Sequence, residues 1–358
     1  MKKSLLTLII AFVCLCALPG IARATILFRG GEDSDLICFG TCAINTNSAY
    51  FDGNFSRENM YITSNGSDLG TPTFTPASTL WIHTEIYLNR SNNPGAAYSM
   101  ISALSPDGVN RLFVGWTSTS WSTLGIYSHN AAGTSTLLAT ATNAVSQYNK
   151  YAIDFYINYG TSGEAALYVN GAKVADYTGD VTTDGATQIN QVKLDTADYN
   201  NGSAAGQVDF SQVIVATTST IGWHLATLVP AANGNTDNWD VGGVANINES
   251  TLNDVTLNAS GTAGQVQEYT IGTLPTGTYS VVDVAVNMRA AVGSSGPQHL
   301  DGMVRTGGTD YTSADLAPPP YVWSLVTADW PTNPNTGVAW TTTDLGTAGF
   351  NVGFKSAN

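Results

Sequence analysis

Charged side chains are scarce in this chain, at 11% of 358 residues, and the few present are unbalanced in sign. Long solvated helices need Glu and Lys on their wet faces, so this scarcity argues against a helical architecture. Thirteen Lys and Arg stand against 27 Asp and Glu. The resulting negative field opposes nucleic-acid phosphates, whose neutralisation supplies most non-specific affinity. Cysteine is rare too, and two of the four, Cys14 and Cys16, fall in an apolar N-terminal run. The four histidines, at 83, 129, 224 and 299, are too scattered to form a metal motif with the cysteines that remain. No segment after the N-terminal run is apolar enough to span a bilayer.

What the chain has in quantity is Gly, 36 residues of it, with runs of Thr, Ser, Asn and Ala between Val, Tyr and Trp. That mixture describes short strands joined by tight turns, and an all-β protein is expected. Residues 1–24 read as a signal peptide: MKK, then the apolar SLLTLIIAFVCLCALPG, then the small-x-small site Ala22-Arg23-Ala24. The product is therefore expected to be exported, extracellular or periplasmic, with no membrane insertion after cleavage. Without Lys2, Lys3 and Arg23, ten basic residues face 27 acidic ones, a net charge of −17. In an oxidising compartment the remaining pair, Cys38 and Cys42 in LICFGTCAI, most simply forms a small local disulfide.

Two-residue alternation marks several strands. In WIHTEIYL (81–88), Ile82, Thr84, Ile86 and Leu88 share one face, with Trp81, His83, Glu85 and Tyr87 on an opposite, solvent-facing row. In YAIDFYIN (151–158), Ile153, Phe155 and Ile157 oppose Asp154 and Tyr156. Asn170-Gly171 sits between two alternating runs and predicts a type I′ hairpin turn. Val282, Val284, Val286 and Met288 predict an inward row in the second half.

An early Trp strand, a strand before the YVNG hairpin and then FSQVIVA together resemble the concanavalin A-like, laminin-G-like jelly-roll. The resemblance implies two stacked antiparallel sheets over residues 25–218. The short strands that follow predict a second, smaller β-sandwich over 219–358, packed against the first because no flexible linker separates them. Four stretches, ILFRGGEDSDL (26–36), FSQVIVATTSTIGWHLATLVPAANG (210–234), SSGPQHLDGMVRTGGTDY (294–311) and TNPNTGVAWTTTDL (332–345), are similar to a family of uncharacterised bacteriophage and prophage proteins. That similarity implies a non-enzymatic virion-associated part, a decoration, tail or fibre component, with virion or cell-surface proteins as partners. Family members begin near the position of Thr25, so the leader is a departure and leaves an export role as the alternative: a secreted bacterial glycan-binding or adhesin-like protein with surface glycans as partners. Oligomeric state is left open.

Catalytic signatures are thin. Glycoside hydrolysis needs two carboxylates about 5–9 Å apart, yet Glu85, Asp154 and Glu164 each stand alone on a strand, and Asp195 and Asp198 would face different ways if extended. No Gly-x-Ser-x-Gly elbow occurs. An exported glycoside hydrolase is kept as a minor alternative, and no catalytic residue or obligatory cofactor is assigned. Calcium is the one ion the acidic loops could serve, through Asp33 and Asp35 beside Glu32, or through Asp180 and Asp184. For sugars, the candidate platforms are Trp116, Trp121 and Trp239, whose rings combine apolar area with a polar handle. In WPTNPNTGVAWTTTDL (330–345) the two Pro, Gly337 and Asp344 predict a braced corner, with Trp330 and Trp340 clamping the second sandwich.

Overall fold

The computed structural model describes residues 25–63, 67–89, 98–117, 120–194, 208–248 and 254–358. The leader, Asp195 and Asp198 lie outside the described residues. The protein is nearly all β, as the low charge and high β-branched and aromatic content require. In the first unit the strands are β1 (Ile26–Gly30), β2 (Ile37–Phe39), β3 (Cys42–Asn45), β4 (Asn59–Ile62) and β5 (Asp68–Gly70). Next come β6 (Thr79–Leu88), β7 (Ser99–Leu104), β8 (Asn110–Trp116), β9 (Leu124–His129) and β10 (Ser135–Ala141). The series closes with β11 (Lys150–Asn158), β12 (Gly163–Val169), β13 (Ala172–Gly179), β14 (Gln191–Leu194) and β15 (Val208–Ala216).

These strands form two antiparallel sheets stacked over one core. One runs β13-β12-β11-β6-β15-β4-β3, with β1 also pairing β15; the other runs β10-β9-β8-β7-β14-β5-β2. Alternation places Leu80, Ile82, Ile153, Phe155 and Leu167 inward from the first sheet and Leu112, Val114 and Ile126 from the second. Asn170 and Gly171 both adopt positive φ, 50° and 78°, and join β12 to β13 as the hairpin pattern requires. Cys38 and Cys42 are disulfide-bonded. Because β2 and β3 belong to different sheets, the bond stitches the two sheet edges together across the intervening turn.

The second unit holds β16 (Pro230–Asp237), β17 (Val266–Ile271), β18 (Val284–Ala290), β19 (His299–Thr306), β20 (Thr309–Thr312), β21 (Ser324–Trp330) and β22 (Asn351–Ala357). Five of them form one sheet, β16-β17-β22-β19-β20, and β18 pairs with β21 as a separate two-stranded ribbon. The second layer of this unit is thus a ribbon rather than a full sheet. Val282 precedes β18 and is 44% exposed, so the inward row expected from 282 begins only at Val284. Ribbon and sheet are in close contact at Gly302: a Cβ there would lie 2.3 Å from that of Ala328. Met288, Ala328 and Trp330 from the ribbon meet Leu300, Val304, Trp340 and Phe350 in a small core.

The corner after β21 is structural. Trp330 and Trp340 are both buried, the Trp340 indole N–H donates to the Trp330 carbonyl at 2.7 Å, and Trp340 meets Phe350 edge to face. Thr341 and Asp344 form a reciprocal capping box on the single turn α1 (Thr342–Leu345). Among the described residues no helix is long and apolar enough to cross a membrane.

The two units are bolted together by polar contacts. Arg29 on β1 pairs with Asp283 at 3.0 Å and also with Asp329, and Asn287 on β18 donates to Asp35 at 2.9 Å. Asn54 accepts from the backbone and hydroxyl of Thr276, and the Phe55 ring meets Tyr279 edge to face.

Candidate functional site

Strand alternation leaves β6, β11 and β12 with an outward face on the first sheet. In register, Trp81 stands opposite Tyr156, and Tyr168 opposite Asp154. The three aromatic side chains are half-buried and touch. The Trp81 ring lies 4.8 Å from Tyr156 and 5.3 Å from Tyr168, at interplanar angles of 33° and 40°. Trp81 is therefore the centre of a continuous aromatic surface. Its border is charged: Lys173 pairs with Glu164 at 3.2 Å and Asp176 at 3.3 Å, and its ammonium sits 5.8 Å from the Tyr168 ring centre. Partial burial beside Glu164 and the neighbouring Tyr168 raises the Tyr156 phenol above its ordinary range, so it stays a neutral hydrogen-bond donor.

Further along the same row, the face is covered. His83 and Asp154 are buried rather than solvent-facing, with side chains 1% exposed, which corrects the outward row expected from alternation. The cause is the segment 217–229 that joins the two units, which folds back over the sheet. The Thr220 hydroxyl donates to Asp154 Oδ1 at 2.6 Å, Leu225 N–H to Gln212 Oε1 at 3.0 Å, and Thr227 N–H to the Phe55 carbonyl at 2.8 Å. His83 Nδ1 meets the same Asp154 oxygen at 2.9 Å. The group resembles a hydrolytic triad in composition only, because the Thr220 hydroxyl points at the carboxylate and not at the imidazole. Beyond it, Glu85 approaches His224 of the covering segment and Asp52 of the turn after β3.

The residues singled out from sequence fall elsewhere. Trp116 and Trp121 are core residues, 2% and 5% exposed, packed edge to face at 5.1 Å. Strand β8 ends at Trp116 and both rings lie in the main core, so neither is a platform. Trp239 is half-buried: its indole N–H donates to the Gln265 carbonyl at 3.1 Å and its ring tilts onto Phe354. It lines a cleft of about 1290 Å³ bounded by the ribbon, the five-stranded sheet and the turn after β1.

The proposed calcium ligands do not converge on a free site. Asp35 is buried and its Oδ2 accepts from the N–H groups of Gly31 and Glu32, so it closes the turn after β1. Asp33 donates its N–H to Glu58, and Glu32 is held by the Arg57 guanidinium, so an arginine supplies the positive charge in this acidic corner. Burial pushes the carboxyls of Glu32 and Asp35 up, and burial together with the Glu32 charge pushes Glu58 up to about 8. Asp180 accepts from Thr182, whereas Asp184 pairs with Arg111 at 2.7 Å. The carboxylates of Glu32, Asp35, Asp180 and Asp184 are each used within their own turn or ion pair.

No family model and no curated protein matches the chain. Among solved structures it is similar to an endo-beta-1,4-glucuronan lyase from the fungus Trichoderma reesei, at 14% identity and TM-score 0.41, over 56% of this chain and 97% of that one. It is also similar to the cellulose induced protein Cip1, at 15% identity and TM-score 0.36, over 55% and 92% of the two chains. A third is the carbohydrate binding module CBM66 from Bacillus subtilis, at 12% identity and TM-score 0.31, over 48% and 92%. These likenesses are loose and carry no correspondence of residues.

Proposed function

We propose that this protein is an exported, non-catalytic glycan-binding protein that holds sugar rings on the outward face of its first sandwich. The observation that carries this reading is the Trp81–Tyr156–Tyr168 surface. Three touching, half-exposed aromatic rings on three adjacent strands offer a broad apolar face to the C–H side of a pyranose. Glu164, Lys173 and Asp176 at the border supply acceptors and donors for its hydroxyls. The platform stands on paired strands, which fix the rings before a ligand arrives and limit the entropy lost on binding. A glycan array probed with the purified chain tests the reading. Saturable signal on a defined set of saccharides, competed by the soluble sugar, is expected; silence across every saccharide would overturn it.

A further inference from the structure

Three side chains with metal-binding atoms converge where the covering segment meets the first sandwich. Asp52 comes from the turn between β3 and β4, Glu85 from β6 and His224 from the joining segment, and one ligand atom of each lies within 4.8 Å of the other two. Nδ1 of His224 stands 3.6 Å from Oε1 of Glu85. Tetrahedral zinc with nitrogen and oxygen ligands at about 2.0–2.2 Å places neighbouring donor atoms roughly 3.4 Å apart. This edge of the site is therefore already near the separation a metal would impose.

The donors are held in place by the fold. The His224 imidazole lies flat on the Phe55 ring, 4.0 Å away and 4° from parallel. Phe55 is itself fixed, since its N–H donates to the Asp52 carbonyl and its carbonyl accepts from Thr227. One Asp52 oxygen accepts from Asn54 N–H at 3.0 Å, which orients the carboxylate and leaves the second oxygen for a ligand. Among the described residues, the one ion pair that either carboxylate makes is that of Glu85 with His224. The nearby Lys150 ammonium is spent on the Phe51 and Ser48 carbonyls, and neither carboxylate forms an ion pair with Lys or Arg among the described residues, an arrangement that a divalent cation would complete.

We propose that Asp52, Glu85 and His224 bind a zinc ion, with an open position for water. An imidazole nitrogen beside two carboxylates suits zinc, whereas calcium takes six to eight oxygens. The Glu85 side chain is 13% exposed and that of His224 35%, so the site is shielded on the sheet side and open toward solvent. The ion would tie the joining segment to β6 and to the turn after β3, clamping the cover over His83 and Asp154. This inference does not depend on the glycan reading.

Isothermal titration of the purified full chain with zinc chloride tests it, alongside Asp52→Asn, His224→Ala and, as a control, His299→Ala. His299 is a comparable half-exposed histidine next to a carboxylate, Asp315. Circular dichroism melts without zinc establish that each variant is folded. One zinc per chain is expected, weakened at least tenfold in Asp52→Asn and in His224→Ala, unchanged in His299→Ala and not displaced by millimolar calcium. Absence of saturable binding, wild-type affinity in His224→Ala, or displacement by calcium would each overturn the assignment.

Discussion

Arg29 in β1 reaches across to Asp283, just before the ribbon strand β18, at 3.0 Å, with both side chains 10% exposed. Burial lowers the Arg29 pKa and raises that of Asp283, and each partner's charge opposes the shift of the other. Breaking a buried pair leaves one charge uncompensated, at a cost of about 3–5 kcal/mol. Arg29→Ala is therefore expected to lower stability by that amount in urea unfolding. Arg29→Met combined with Asp283→Leu should recover most of it, because the apolar pair carries no desolvation cost.

The two sets of tryptophans separate by stability. Trp116→Ala removes a buried ring from the main core and should cost about 3–5 kcal/mol. Trp81→Ala removes a half-exposed ring and should cost clearly less in the same urea titration. Equal losses would contradict the placement of Trp116 in the core and Trp81 on the outer face.

The acidic corner makes stability depend on pH. Glu58 carries a folded pKa of about 8, above its ordinary value of about 4.3. A carboxyl that holds its proton better in the native state stabilises the fold as pH falls from about 8 towards 4.3, and the gain is lost as pH rises through that window. Glu32, Asp35 and Asp283 are shifted in the same direction and reinforce the trend. Melting temperature is expected to rise between pH 8.5 and pH 5.5, with a shallower slope in Glu58→Gln. Glu58 Oε1 accepts the Asp33 N–H at 2.8 Å, a bond that the amide oxygen of the glutamine variant can keep.

Gly302 sets the distance between ribbon and sheet. A Cβ at that position would sit 2.3 Å from the Ala328 Cβ and 3.1 Å from the Met288 methyl. Overpacking of this kind typically costs about 1–3 kcal/mol. Gly302→Ala should lower the thermal midpoint by several degrees, and Ala328→Gly in the same chain should restore part of the loss.

Much of this architecture is readable from strand-local patterns. The inward rows of β6 and β11, the Asn170–Gly171 hairpin, the Cys38–Cys42 bond and the Thr341–Asp344 cap each depend on residues close in sequence. The aromatic platform is different: Trp81, Tyr156 and Tyr168 belong to three strands, and only their register makes them neighbours. Alternation alone places Trp81 and Tyr156 on outward rows; what it lacks is the pairing of those rows. His83 was equally hidden, because its cover comes from a segment more than a hundred residues later in the chain, around Thr220. The stretches 26–36 and 210–234 have a structural reading of their own. ILFRGGEDSDL supplies Arg29 and Asp35, and the 210–234 stretch supplies the covering segment, so both serve the junction between the units.

The proposed binding role rests on Trp81. Isothermal titration with the saccharide that gives the strongest array signal, comparing wild type and a folded Trp81→Ala variant, is the direct measurement. Loss of the central ring should weaken binding at least tenfold, or about 1.4 kcal/mol, with the melting transition still cooperative. Wild-type affinity in Trp81→Ala would contradict a binding surface on this face.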